Sequence, residues 1–255
     1  MTNNNTIISV EHVTFGYKRD QTVLDDIDFT VPQGQSLALL GYNGVGKTTL
    51  FRLIVGRLRP REGRCVIDKH LVPSMREVFQ MTENGNLVDT MTVRDNIRFR
   101  QLLFGAQAAG GNGSFSEQGQ LEQHPLVQAF ELGPHLDKKV LELSSGLRKR
   151  AGIVAGMIFD PHVIMMDEPT NAIDPITCDL LTEYISQLKA DGRTLLTITH
   201  DLEYCWDVAD RVIILDNKHI VKDIMRADFP DYESFTKTAT LGHESKHVDF
   251  GLSRK

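Results

Sequence analysis

The sequence predicts an α/β fold: a mainly parallel sheet with a helical subdomain inserted into the core. Three observations predict it. Short apolar runs alternate with helical patterns along much of the chain, and strand–helix–strand alternation implies parallel pairing. A glycine-rich loop at 41–48 sits between an apolar run and a helical pattern. From about 81 to 160 the character changes to helical spacing and polar loop, and the strand pattern resumes only at 163.

The elements follow in order. Residues 7–13 alternate loosely and give a first strand. Residues 23–31 (VLDDIDFTV) alternate more clearly, with Leu24, Ile27, Phe29 and Val31 apolar, and Pro32-Gln33-Gly34 then signals a turn. The apolar run 36–40 suits a buried strand, and a helix is predicted from about 47 to 56. Short strands are predicted at 66–67 and 77–79. Residues 92–104 have helical spacing through Val93, Ile97, Leu102 and Leu103. Residues 105–120 (GAQAAGGNGSFSEQGQ) are small and polar and predict a mobile loop. Helices are predicted at 121–132 and 144–158. The strand 163–166 ends in Asp167-Glu168. A helix at 175–190 has Pro175 in its first turn and Asp174 as N-cap. Strands at 195–199, 212–215 and 220–224 complete the sheet. The predicted domain is thus 6–225, with 81–160 inserted. Residues 226–255 form a partly flexible extension, polar and loosely held from about 236.

Bulk properties narrow the classes. The chain has 255 residues, 41% of them hydrophobic and 24% charged, with a net charge of −6. Length alone does not separate one large domain from a domain with an insertion. Nucleic-acid binders are usually basic on at least one face, so no direct nucleic-acid partner is expected. Cys65, Cys178 and Cys205 are odd in number and far apart. That pattern predicts reduced thiols rather than a disulfide or zinc site. No signal peptide and no apolar stretch near the ~20 residues of a membrane span is found.

The chemistry is concentrated in two motifs. Gly41-Tyr42-Asn43-Gly44-Val45-Gly46-Lys47-Thr48 fits G-x-x-x-x-G-K-[ST], the phosphate-cradling P-loop. Its glycines let the backbone curl so that successive N–H groups face phosphate oxygens. The helix that follows presents its positive end to the same anion, with Thr49 in its first turn. Lys47 reaches the β- and γ-phosphates, and the Thr48 hydroxyl is a ligand for Mg²⁺. The fold class becomes an α/β P-loop NTPase core, and the cofactors it implies are ATP and Mg²⁺. The second motif is Val163-Ile164-Met165-Met166-Asp167-Glu168. Alone, its carboxylates would suit an acidic turn at a strand end. Beside a P-loop they suit a cation at the C-terminal edge of an α/β sheet. Asp167 then holds Mg²⁺, directly or through water. Glu168 orients or deprotonates the attacking water.

The order of these motifs resembles the ATP-binding-cassette (ABC) ATPases over nearly the whole chain, which implies an N-terminal antiparallel β part beside the mainly parallel sheet. The resemblance implies further site residues. Tyr17, after Phe15-Gly16, stands where the family stacks adenine on an aromatic ring; a core or turn tyrosine is the alternative. Gln80, in Val78-Phe79-Gln80, stands where a glutamine senses Mg²⁺ and the γ-phosphate near the membrane partner, an assignment by position alone. Leu143-Ser144-Ser145-Gly146-Leu147 occupies the place of the signature, usually L-S-G-G-Q, which clamps ATP bound to the other subunit. Ser145 and Leu147 depart from it, so the resemblance implies a weakened clamp, and an ordinary helix cap by Ser144 is compatible with it. Asn171-Ala172-Ile173-Asp174 stands at the dimer-contacting loop, carrying Asp174 over and departing at Asn171. His200 matches the switch histidine that contacts the γ-phosphate; a strand-end histidine is the alternative. His243 and His247 receive no role.

By this resemblance the chain is an ATPase subunit that dimerises on ATP with a second cassette, a copy of itself or a relative. It drives a separate integral membrane transporter subunit from the cytoplasmic face of the cell membrane. The Asp174-Pro175 pairing and motif order are similar to those of exporters. Leu87, Val88 and Met91 either seat a partner helix or pack internally. The alternatives are a soluble cassette ATPase outside transport, and a weakly hydrolysing, nucleotide-gated interaction protein.

Overall fold

The computed structural model describes residues 5–82, 86–104, 120–171 and 173–241. The predicted loop at 105–120 falls almost wholly outside them, as do His243, His247 and Ala172.

Two sheets form the frame. β1 (Thr6–Phe15) pairs antiparallel with both β2 (Leu24–Pro32) and β4 (Glu62–Ile67), giving a three-stranded sheet. Alternation drives it: Leu24, Ile27, Phe29 and Val31 of β2 are buried, and Asp28 and Thr30 between them are exposed. The main sheet has six strands in the order β5 (Val78–Met81), β6 (Val163–Asp167), β7 (Thr194–Ile198), β3 (Ser36–Leu40), β8 (Arg211–Asp216) and β9 (His219–Met225). All pairs are parallel except β8 with β9, a hairpin through Asn217 and Lys218, both at positive φ. β3, β6 and β7 are buried at every residue, as expected for parallel strands covered on both faces.

The helices clothe this sheet. α1 (Lys47–Ile54) follows β3 directly, while α2 (Val93–Phe104), α3 (Pro125–Ala129) and α4 (Ser145–Met157) belong to the insertion. α5 (Pro175–Ala190) matches the predicted helix, with Asp174 as its N-cap. Phe15, Phe29, Phe51 and Ile213 belong to a core between the antiparallel sheet, α1 and the main sheet. Phe79, Ile97, Phe130, Ile153, Ile164 and Leu181 form a second core under the insertion. Leu87 packs partly buried against that second core, whereas Val88 is exposed.

Two expectations are corrected. The helix predicted over 121–132 is only the five residues of α3: Pro125 holds His124 extended, so His124 caps the start, and beyond the C-cap Phe130 the backbone of Glu131 is at φ +53°, which ends it. Residues 236–239, where the loose tail was expected to begin, instead close a helix, α7 (Tyr232–Ala239), capped by Asp231; the tail from 242 lies outside the described residues. Phe235 and Ala239 are buried against Ala38, Leu40 and Cys205, with α6 (Leu202–Val208) alongside. Among the described residues no helix is long and apolar enough to cross a membrane.

Candidate functional site

The sheet order explains why distant motifs meet. β6, β7 and β3 are consecutive and parallel, so their C-terminal ends share one edge. From that edge leave the loop 41–46, the Asp167-Glu168 pair and Thr199-His200. The glycine-rich loop needs its glycines: Gly41 and Gly46 stand at φ 154° and 116°. A Cβ on Gly41 would lie 2.5 Å from the Leu215 carbonyl oxygen. α1 then starts with no side-chain cap and no acidic residue in its first turn, which leaves its leading amides for an anion.

Lys47 is only 6% exposed, and its ammonium curls over the loop to the carbonyls of Gly41 and Tyr42. Burial lowers its pKa, while Glu168 and Asp167 pull it back up. A buried ammonium held by neutral carbonyls is poised for an anionic partner. The Thr48 hydroxyl donates to Asp167 Oδ2 at 2.8 Å, which joins the P-loop to the end of β6. That hydroxyl and carboxylate are hard oxygen donors side by side, and they fit Mg²⁺. Glu168 follows with φ at +50°, an uncommon conformation for a non-glycine residue. Its amide donates to the Ile198 carbonyl at 2.8 Å, and its Oε2 lies 3.0 Å from His200 Nδ1.

A cleft of about 370 Å³ joins Tyr17, Tyr42, Asn43, Gly44, Gly46, Lys47, Thr48, Thr49, Asp167 and Glu168. Tyr17 is 56% exposed; its hydroxyl is 3.1 Å from Thr49 Oγ1, and its ring stands edge-on to Phe15. The cleft also takes in Val23, Asn171 and Ile198, to which the sequence reading assigned no site role. Asn171 stands at a departure from the family pattern, so the resemblance gives its side chain no role. Nothing local in the sequence marks Val23 or Ile198 as lining residues.

Other expected residues lie elsewhere. Gln80 lines a neighbouring groove of about 520 Å³ with Arg57, Phe79, Asn86, Phe99 and Arg100. It is on β5, with β6 and β7 between it and the P-loop strand. The expectation that Gln80 joins Thr48 and Asp167 is therefore not met by the cleft itself. Ser144 caps α4 by accepting from the Leu147 amide, and Ser145 and Gly146 open the helix; none of the three lines the cleft. Asp174 caps α5, accepting from the Thr177 amide and hydroxyl at 3.0 and 2.7 Å, and pairs with Arg150. These contacts hold its carboxyl well below the usual range. The three cysteines are free, and burial pushes the Cys65 thiol up to about 11.

A family model described as ABC transporter matches residues 24–171. The chain belongs to the ABC transporter family. The Nod factor export ATP-binding protein I of Ralstonia nicotianae is 32% identical over 216 residues, covering 83% of this chain and 64% of that protein. The methionine import ATP-binding protein MetN 1 of Rhodopseudomonas palustris is 32% identical over 212 residues, covering 78% and 54%. The chain thus spans less than two thirds of the length of either relative. The solved ATP-binding subunit of an ABC transporter superposes with a TM-score of 0.78 at 26% identity, covering 92% of this chain and 100% of that one. The cassette's mixed sheets and inserted helices are those of this family's nucleotide-binding domain.

Proposed function

We propose that this cassette is the ATP-binding and ATP-hydrolysing subunit of an ABC transporter. The observation that carries the reading is the Thr48–Asp167 hydrogen bond, with Lys47 on one side of it and the Glu168–His200 pair on the other. In the proposed reaction water attacks the γ-phosphorus in line. A phosphorus–oxygen bond forms as the β–γ bridging bond breaks, the water's proton passes to Glu168, and ADP and phosphate leave. The P-loop amides 41–48, Lys47 and Thr49 hold the phosphates, and Tyr17 stacks the base. Mg²⁺, held by Thr48 and Asp167, would neutralise phosphate charge. Gln80 stays on β5, paired with β6 in the main sheet, so it would join only through a turn of its side chain from the neighbouring groove toward the cleft. His200 fixes the Glu168 carboxylate and faces the γ-phosphate.

Ser144, Ser145 and Gly146 act in this proposal on ATP bound to a second cassette, with Asp174 at the contact. The groove beside Gln80 supports a membrane-embedded partner: Met75, Val88, Phe99 and Leu103 expose apolar surface there beside Arg57 and Arg100. The cassette then sits on the inner face of the cell membrane through that partner. The two relatives above are named for export and import, so direction rests on the Asp174-Pro175 pairing and motif order, which favour export. A second reading, a nucleotide-gated protein that barely turns over, is favoured by Ser145 and Leu147.

Steady-state hydrolysis by the purified chain, across protein concentration and beside Glu168→Gln, separates them. The ATPase reading expects activity that rises more than linearly with concentration and falls at least a hundredfold in the variant, while ATP affinity stays within a fewfold. Nucleotide binding with no Glu168-dependent turnover would leave the gated reading.

A further inference from the structure

We infer that Lys149 is a positioning residue for hydrolysis: its ammonium holds the backbone of Glu168 so that the carboxylate faces the cleft. The inference rests on the ATPase reading above and assigns a role to a residue outside the cleft. Glu168 is held at φ +50° although it carries a side chain and precedes Pro169, and each of these disfavours such a backbone. A conformation disfavoured twice persists only where its surroundings over-determine it.

Those surroundings are identifiable. On one side the Glu168 amide donates to the Ile198 carbonyl at the end of β7. On the other the Glu168 carbonyl accepts from the Asn171 amide at 3.3 Å, a long bond within the turn, and from Lys149 Nζ. The ammonium bond is charge-assisted and is the stronger of the two. It is also built in: Lys149 is 4% exposed, and a solvated surface lysine would have no reason to direct its charge inward at a peptide carbonyl.

The place of Lys149 in the chain gives the contact its consequence. It lies one turn beyond Ser145 on α4, whose leading end carries Ser144–Gly146. The ammonium therefore ties the helix that faces a second cassette to the residue that activates water. A shift of α4 on engaging that second cassette is transmitted to Glu168 through one side chain, so the base and the clamp are set together.

Lys149→Met keeps length and volume and removes the donor; Lys149→Gln keeps an N–H donor without the charge. Both are compared with the parent chain and Glu168→Gln. The inference expects Lys149→Met to lower kcat at least tenfold with KM and Kd for MgATP within twofold, and Lys149→Gln to recover part of the loss. A kcat within twofold of the parent in Lys149→Met overturns it, as does a loss that only follows weaker ATP binding. A crystal structure of whichever variant folds supplies the second readout, with Glu168 expected to leave the positive-φ region. If it stays at its parental φ, the inference fails. If the parent shows no Glu168-dependent turnover, the ATPase reading falls, and the backbone of Glu168 in the variant still decides the role of Lys149.

Discussion

Asp174 shows how much one residue can hold. Its Oδ1 accepts from the Thr177 amide, and its Oδ2 accepts from the buried Thr177 hydroxyl while pairing with Arg150. Hydrogen bonds from Thr177 first, then from Arg150, depress its pKa below the ordinary value near 3.8. A depressed folded-state pKa means that the stabilisation is present above that ordinary value and is lost as pH falls below it. Asp174→Asn keeps an acceptor for the Thr177 amide but not the charge. It is expected to unfold at a lower temperature at pH 7 and to lose less further stability between pH 5 and 3 than the parent. Asp174→Ala is expected to be worse at pH 7, because it leaves the Thr177 hydroxyl without that partner. Thermal unfolding of the three proteins across that range checks both statements, and parallel pH curves for parent and Asn variant would refute the first. Asp174 was legible as a cap because capping is local: a short acidic side chain before Pro175 and a helical pattern is enough. Lys149 was not legible, because the carbonyl it serves is 19 residues away and belongs to the backbone.

At the scale of elements, the insertion is keyed to the sheet by a ring against a glycine. A Cβ on Gly156 of α4 would fall 1.9 Å from two carbons of the Phe79 ring, so α4 and β5 approach as closely as this pair permits. The Arg100 guanidinium lies over the same ring, 5.6 Å from its centre. In an open helix Gly→Ala gains roughly 0.5–1 kcal/mol. Here the clash opposes that gain, and overpacking of a dense core costs about 1–3 kcal/mol. Gly156→Ala is therefore expected to destabilise the chain by a net ~1–2 kcal/mol in urea unfolding. Phe79→Leu/Gly156→Ala should cost less than the sum of its single changes, since the smaller side chain vacates the space the new methyl needs. Additivity of the two would show that the contact is not a key. Elements with a strong period or a local stop signal, such as β3, α1, β6 and α5, were readable from the sequence. α7 was not, because Phe235 and Ala239 supply its buried stripe amid polar neighbours, and what buries them is spread over the chain, from Ala38 and Leu40 about 200 residues earlier to Cys205 on α6. α3 was overextended because apolar spacing through 121–132 outweighed the start that Pro125 sets and gave no sign of the positive φ at Glu131 that follows its end.

For the whole molecule the decisive fact is a separation. The P-loop, Asp167, Glu168 and His200 gather at one edge of the sheet, while Ser144–Gly146 open a helix that does not line the same cleft. One chain thus carries the two parts of the proposed machine without bringing them onto one nucleotide, and a second cassette is the simplest supplier of the missing part. In Glu168→Gln, where hydrolysis no longer opens the assembly, MgATP is expected to convert the monomer to a two-chain species in sedimentation velocity. Ser145 offers a clean way to test which surface does this. It is exposed at the first position of α4, where an aspartate favours the helix through its dipole. The negative charge it brings there opposes a γ-phosphate brought up from the other chain. Ser145→Asp in the Glu168→Gln background should therefore fold at least as well and bind ATP with unchanged affinity, because its own cleft is untouched, yet remain monomeric with MgATP. Loss of the dimer with intact ATP binding would place the altered signature at the contact. A dimer that persists would mean that the chains associate through another face, and the departures at Ser145 and Leu147 would then mark a segment released from clamping nucleotide.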